Sequence, residues 1–538
     1  MNNRIQIMVD TDQVELGGSR VVEPQRIAAS KFGMVSTAHH CATDAGNEIL
    51  ADGGNAIDAA VAAGLALCVC EPAACGIGGQ TMMLIHTADP RRTFALDGSS
   101  RAPNRAAADL FREGQTRLRG HMATTVPSTL AAYDYALKEY GTMTFARIVQ
   151  PAIKLAEEGY PISALQNRLC KRELKSLRIG TAASLFLKGG TRVQTIGSIF
   201  KQPTLAKTFR RLAKRGVEDF YQGQIARQIH KDMQDNGGLL HRDDLAQIPQ
   251  PIERKPVSCH FDSMRVITFP PPGAGRTLVE MLNILEHVSW DMCTPDTPRG
   301  AVMIAEIIRR AFLDRRDRPY DASFYAQIDD RHMMSEDYAE RVAKQFVKRI
   351  KTHGDTTHLS VMDRHGNAVG LTQSIERVYG SCAASPELGF LYNNYMSAFE
   401  YEDISHPYFM RPNAAPWASV APTIVFHGRR PWAVLGSPGS ERITPSIMQV
   451  LCRLKHQPPY DAVAGPRIHC SIKGEVSLEA ARMRDDIPEA LRKRGFTIRV
   501  RDPYSFYLGC VQLVLKDGKT FIGVADPRRD GSAAGPAK

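Results

Sequence analysis

The 538-residue sequence has no apolar run long enough to cross a membrane. Its most apolar stretch, residues 56–69, carries Asp58 and falls short of the ~20 apolar residues that a helical span needs. Residues 1–10 lack the apolar core of a secretory signal, and Asp10, Asp12 and Glu15 argue against a transit peptide. Cysteine is present as an odd count of eleven, so no simple disulfide framework is written in the chain. Only Cys68, Cys70 and Cys75 lie close together, without a nearby histidine or a second C-x-x-C pair. That excludes a zinc-finger spacing, and the Ala-rich context makes the three read as buried small hydrophobes. A reducing, cytoplasmic location is the expectation. Aromatic residues are sparse at 7% and do not interleave with basic ones, so the net charge of +11 gives no nucleic-acid signature. The basic residues fall in scattered groups, at 210–215, 309–318 and 492–501, punctuated by acids, and read as solvated helix faces.

What is present is ordinary globular material, 43% hydrophobic and 23% charged, enough for a large core without metal or disulfide. Thr43 or Asp44 can cap a helix ending at Gly53-Gly54. A second helix, 56–70, is almost entirely Ala, Val and Leu, so most of its sides should be buried. Asp58 inside it reads as a cap or a paired acid. Further helices are expected at 129–140, 145–158, 165–177, 202–215, 222–235, 278–287 and 301–314. The character changes after Thr356. Residues 357–362 alternate as a strand, Asp363-Arg-His-Gly-Asn367 is a turn, and 368–375 returns. Strands follow at 423–427, 432–435, 468–471, 476–478, 497–500, 510–515 and 520–524. Residues 526–538 are rich in Gly, Ala, Pro and charge, and are expected to be disordered. Trp417 and Trp432 read as core or contact residues.

The junction at 355–357 carries the chemistry. A threonine hydroxyl is a weak nucleophile and needs a base; a threonine at the start of a chain can use its own α-amine. Here that amine has to be released by cleavage of the Asp355–Thr356 bond. By itself, Asp-Thr-Thr-His is a weak signal and reads as any strand entrance.

The run Thr356-Thr-His-Leu-Ser-Val-Met-Asp-Arg-His-Gly-Asn-Ala-Val-Gly-Leu-Thr-Gln-Ser-Ile-Glu-Arg-Val-Tyr-Gly380 resembles the signature of the γ-glutamyltranspeptidase family. Other landmarks occur in family order: Leu50-Ala-Asp-Gly-Gly-Asn-Ala-Ile-Asp-Ala-Ala60, Glu71-Pro, Gly76-Ile-Gly-Gly79, Leu96-Asp-Gly-Ser-Ser-Arg-Ala-Pro103, Pro270-Pro-Pro-Gly-Ala-Gly275, Asn393-Asn-Tyr-Met396, Ala421-Pro-Thr423 and Gly436-Ser-Pro-Gly439. The resemblance spans about residues 30 to 530. It implies an α+β, four-layer αββα sandwich of the N-terminal-nucleophile type. It also implies a precursor that cuts itself into residues 1–355 and 356–538, which stay together as a heterodimer or a dimer of heterodimers. Carried across by position, Thr356 is the nucleophile and Ser374 stands where a threonine usually tunes it. Gly439 and Ser440 supply the oxyanion-hole N–H groups, the second glycine of the family pair being Ser440 here. Glu376 takes a substrate-contacting position, and His358 reads as structural. Gly76-Ile-Gly-Gly79 lacks the Lys-Ser/Thr of a P-loop.

The sequence also departs from the family pattern. The arginine that normally meets the α-carboxylate of a γ-glutamyl group aligns with Ser99, and Arg101 lies two residues later. The aspartate that meets its α-amine aligns with Ala398. Of the paired carboxylate-binding serines, Ala418 and Ser419 keep one hydroxyl. An amine without its charge partner costs a few kcal/mol, roughly, at a partly desolvated site. The resemblance therefore implies an amide hydrolase for a small acidic substrate held through Arg101, oxamate-like or acylase-like, acting without metal or organic cofactor. True γ-glutamyl hydrolysis or transfer is the alternative, and a binding homologue that never cuts itself is the second. No nucleic-acid or membrane partner is expected.

Overall fold

The hairpin that follows Thr356 forms as its alternation predicts. Strands Thr357–Asp363 and Ala368–Ser374 pair antiparallel, with Thr357 opposite Gln373 and Met362 opposite Ala368. The turn is closed by Asp363, whose Oδ1 accepts from the backbone N–H of His365 (2.9 Å) and of Asn367 (3.0 Å). Gly366 takes the left-handed backbone there, at φ +96°. These two strands are the centre of a seven-stranded sheet. Its order is Ser532–Ala534, Gly33–Thr37, Thr357–Asp363, Ala368–Ser374, Gln80–Ala88, Arg91–Gly98 and Ile252–Arg254. A second sheet of seven runs Ile27–Ser30, Thr520–Ala525, Gln512–Asp517, Arg430–Gly436, Thr423–His427, Met264–Thr268 and Val257–Phe261. The computed structural model describes residues 25–111, 117–248, 250–289, 292–317, 334–335, 338 and 356–538.

The two sheets face each other, and helices cover both outer faces. Helix Ala56–Cys70 lies on the first sheet with all fifteen residues buried, as its unbroken apolar composition requires. Each Val, Leu or Ile so buried contributes roughly 1.5–3 kcal/mol. Asp58 is its one acid, and it forms a capping box with Asn55 while accepting from the Thr142 N–H at 3.0 Å. Helices Gly275–Glu286 and Ile443–Leu454 cover the second sheet. The result is the expected α+β, αββα sandwich. Cys68, Cys70 and Cys75 are buried in the first helical layer.

Polar groups pin the sheets together. Ser36 Oγ donates to the Val524 carbonyl (2.8 Å), and Ser360 Oγ donates to that of Gln512 (3.0 Å). His358 lies between the sheets, its Nδ1 2.8 Å from Thr372 Oγ1 and its Nε2 3.1 Å from Ser360 Oγ. Burial holds its pKa down at about 3, so the ring is neutral and structural.

Three expectations are corrected. The first helix begins at His40, not near Thr43, because His39 Nδ1 accepts from the Cys41 N–H and acts as its cap. The helix expected over 145–158 is two, Phe145–Ile148 and Gln150–Glu158, divided at Val149 just before Pro151. Residues 526–538 are ordered: Ser532–Ala534 adds an edge strand beside Gly33–Thr37. Small residues allow that close approach, since a Cβ on Gly531 would sit 2.4 Å from the Thr37 carbonyl oxygen. Charge in the same segment is neutralised too, since fully buried Asp526 pairs with Arg467 (2.7 Å) and Arg528 (3.0 Å).

Candidate active site

Thr356 is buried at the mouth of the central strand Thr357–Asp363. Continuing the hairpin register by one step sets Ser374 opposite it. Asp355, the other half of the expected cleavage site, lies outside the described residues. The next residue, Thr357, donates through its hydroxyl to Glu71, and Glu71 pairs with Arg529 from the C-terminal segment. The strand entrance is therefore held from the side by a buried ion pair whose arginine belongs to the segment that composition assigned to disorder.

Ser374 Oγ accepts from the N–H of Glu376 at 2.8 Å, and this closes a tight turn in which Glu376 has φ +77°. A non-glycine residue in that region signals a turn held by its surroundings. Two asparagines hold it: Asn394 accepts from Arg377 N–H (3.1 Å), and Asn393 donates to the Gly78 carbonyl (2.8 Å). Gly79 packs beneath, where a Cβ would lie 2.3 Å from the Ser374 carbonyl oxygen. The Gly76–Gly79 run thus serves backbone approach. Buried Tyr395 sets its hydroxyl against Ser374 and Gln80, and burial and the charge of Glu376 push its pKa up.

The Gly439–Ser440 turn follows the inner strand Arg430–Gly436 of the opposite sheet. The His358 ring lies against Gly436, where a Cβ would come within 2.3 Å of it, so this strand end and the entrance at Thr356 share one end of the sandwich. Gly439 (φ +120°) and Ser440 (φ +54°) both take positive φ, and Ser440–Arg442 leads directly into helix Ile443–Leu454. Among the described residues, neither N–H is used in a hydrogen bond. Two free N–H groups at a helix start are suited to a developing negative charge.

The substrate-binding candidates are spread more widely. Ser99 spends its hydroxyl on Asp97 (2.5 Å). Arg101 is half-buried; its carbonyl accepts from Val126, while its neighbour Ser100 donates to Gln80. Arg101 is thereby one residue from the Gln80–Tyr395–Ser374 set. Ala398, at the aspartate position, ends the short 3-10 turn Tyr395–Ala398. Ser419 is met by Arg315, whose Nη2 lies 3.3 Å from its hydroxyl. Arg315 is buried, stacks 3.8 Å over Trp417, and has its pKa lowered to about 9 by burial. Its place in a run of basic residues made it read as a solvated face; the structure turns it inward. Tyr395, Gln80, Arg529 and Arg315 escaped sequence reasoning as site residues, and only Tyr395 sat inside a quoted landmark.

The sequence model of γ-glutamyltranspeptidase matches residues 42–536. The chain belongs to the γ-glutamyltranspeptidase family. The glutathione hydrolase proenzyme of Escherichia coli strain K12 is 32% identical, over 93% of this chain and 91% of that one. The acylase ACY 1 proenzyme of Pseudomonas sp. strain V22 is also 32% identical, over 94% of each. Among solved structures, a cephalosporin acylase from Bacillus halodurans superposes with a TM-score of 0.87 at 27% identity, covering 99% of this chain and 100% of that one. The fold is that of the N-terminal-nucleophile hydrolases, shared by family members whose names divide between glutathione hydrolases and acylases.

Proposed function

We propose that the chain is a self-processing amide hydrolase that cleaves its own Asp355–Thr356 bond and then uses Thr356 as nucleophile. The observation that carries this is the position of Thr356. It stands at the entrance of the central strand, opposite Ser374, at the same end of the sandwich as two unoccupied N–H groups. In the precursor the Thr356 hydroxyl attacks the Asp355 carbonyl, forming an ester as the C–N bond breaks and the nitrogen takes up a proton. Water then hydrolyses the ester, leaving a carboxylate on residue 355 and a free α-amine on Thr356. In turnover that amine accepts the hydroxyl proton as Thr356 attacks the substrate amide, and the proton passes to the leaving amine. Gly439 and Ser440 N–H groups hold the oxyanion, Ser374 positions the nucleophile, and water releases the acyl group.

The fragments 1–355 and 356–538 would remain joined. Each contributes strands to both sheets, so separation would expose both sheet interiors.

A small acidic acyl donor, oxamate-like or acylase-like, is favoured over a γ-glutamyl group. Ala398 offers no charge to an α-amine, whereas Arg101, Arg315 with Ser419, and Glu376 remain polar. The name of the Pseudomonas relative supports an acylase. Glutathione or another γ-glutamyl compound is the second reading, favoured by the name of the Escherichia coli relative.

Intact mass and N-terminal sequencing of purified protein beside Thr356→Ala test the first step. From 59.4 kDa, a fragment of about 20 kDa beginning Thr-Thr-His-Leu is expected in the parent and absent from the variant. A chain that stays whole under every condition refutes the mechanism. Hydrolysis of simple amide acids beside γ-glutamyl anilides then decides between the two donors.

A further inference from the structure

The guanidinium of Arg315 is a buried charge that lacks a counter-ion. It comes from the last turn of helix Pro298–Asp317, is only 9% exposed, and lies 3.8 Å from the centre of the Trp417 ring. Among the described residues its one hydrogen bond is the long contact of Nη2 with the Ser419 hydroxyl (3.3 Å), and Nη1 is enclosed with no partner. The adjacent Asp314 is paired with Arg310 instead (2.6 Å). Burial is the largest influence on Arg315 and disfavours its charge; Glu441 and Tyr408 favour it without a hydrogen bond, and Arg276 opposes it. A buried guanidinium is ordinarily met by carboxylate or carbonyl oxygens, because its lost hydration is otherwise uncompensated.

The same group stands at the reacting end of the sandwich. Thr423 pairs with Leu435, so the chain before Thr423 and the chain after Gly436 leave the second sheet at one end. At that end the His358 ring, two residues from Thr356, lies against Gly436, and both this ring and Pro422 border Gly370. Ser419 precedes Pro422 by three residues, at most about 11 Å of chain. Ser440, on the other exit, is followed by Glu441, whose charge reaches Arg315. Trp417, Ser419 and Glu441 are each half-buried, so solvent comes up to the residues that surround the guanidinium. Stacking on Trp417 holds its plane, and a guanidinium fork grips both oxygens of a carboxylate. The Ser419 hydroxyl adds a further donor. A second buried arginine, Arg276, begins helix Gly275–Glu286 nearby.

We propose that Arg315, with Ser419, holds the carboxylate of the acyl donor and selects acids over neutral amides. Two buried cations, Arg315 and Arg276, repel an ammonium group placed beside that carboxylate. The donor is therefore the half-amide of a dicarboxylic acid rather than an amino-acid amide. The part played in turnover rests on the hydrolase reading above; the binding of a carboxylate does not.

Two measurements test this. In the first, the parent protein is titrated with glutarate, which has no amide to cut, and tryptophan fluorescence is followed because Trp417 lies on the guanidinium. The neutral comparator is 1,5-pentanediol. Saturable glutarate binding is expected, about tenfold or more tighter than the diol and weakened about tenfold in Arg315→Gln. Arg210→Gln, at an exposed arginine paired with Glu157, should leave it unchanged. In the second, hydrolysis of glutaric acid monoanilide is compared with that of valeranilide, which has a methyl group in place of the carboxylate. The parent kcat/KM should favour the acid about tenfold to a hundredfold. Arg315→Gln should remove that preference by raising KM for the acid alone. If Arg315→Gln fails to fold, Arg315→Lys and Ser419→Ala carry the test, each narrowing the preference severalfold. Equal losses on both anilides, or glutarate bound no tighter than the diol, overturn the anchor. A γ-glutamyl anilide cleaved faster than the glutaric one overturns the half-amide assignment. Glutarate binding by a protein that hydrolyses no amide removes the hydrolase reading and leaves the anchor standing, whereas an acid preference that survives Arg315→Gln does the reverse.

Discussion

Gly439 and Ser440 both have positive φ, yet substituting the first should be costly and substituting the second nearly neutral. Gly439 has φ +120° and ψ +22°, outside the small left-handed well open to L-residues, whereas Ser440 at φ +54° lies within it. A Cβ on Gly439 would meet Arg442 Cβ and Gly509 Cα at 3.4 Å, ordinary contact distances, so the penalty of Gly439→Ala is torsional. Such strain costs about 1–3 kcal/mol. Rotating the 439–440 peptide relieves it and re-aims the Ser440 N–H. Loss of one oxyanion donor lowers kcat about 10²–10³-fold, or roughly 2.7–4 kcal/mol. Ser440→Gly keeps the N–H. It releases about 1 kcal/mol of left-handed strain but adds a similar unfolded-state entropy, so stability and kcat should stay near the parent's. The assay is steady-state hydrolysis of the preferred amide by protein already shown to be cut, alongside melting temperature. Gly439→Ala retaining more than about a tenth of the parent kcat would refute the oxyanion assignment.

Other outcomes follow from buried charge and packing. Arg529→Met leaves Glu71 without its ion-pair partner and should destabilise the fold by about 3–5 kcal/mol, with slower self-cleavage. Adding Glu71→Gln should recover part of that loss, and an additive double-mutant cycle in chemical denaturation would count against the coupling. Deleting residues 527–538 should abolish soluble, self-cut protein, because it removes Arg528, Arg529 and the edge strand; recovery of processed protein from the truncated chain contradicts this. Asp58→Ala should cost about 2–3 kcal/mol, read as a lowered denaturation midpoint, since the Asn55 and Thr142 N–H groups lose their acceptor.

For pH, His39 and His358 are held at about 3 and His86 at about 4, each with burial as the largest cause. These folded values lie below the unfolded value of about 6.5, so the unfolded chain binds more protons between them. Their contribution is fully present above about pH 6.5 and is lost as pH falls toward 3–4, by up to ~1.4 kcal/mol per histidine per unit. Denaturation midpoints at pH 7, 6 and 5 should fall, and His86→Gln should flatten the slope; unchanged midpoints would contradict the assignment.

Local signals served the regular elements well. The apolar helix 56–70, the hairpin after Thr356 and the strand Thr423–His427 fall where periodicity and turn residues put them. Composition misled in the C-terminal segment, because Gly and Ala mark a flexible tail when exposed and a close-packed edge when a partner strand is present. It misled at Arg315 for a related reason: a run of basic residues says nothing about which of them faces an aromatic ring across the chain.

What the sequence by itself determined is the family and the order of its landmarks, hence the αββα architecture and the candidacy of Thr356, Ser374, Gly439 and Ser440. Those depend on residue identity and spacing along one chain. Only the tertiary structure joined Arg529 to Glu71 and Thr357, Arg315 to Ser419, and Tyr395 to Ser374. These contacts link positions up to 458 residues apart. Their energies arise from burial and from charge brought together by folding, which no local pattern encodes.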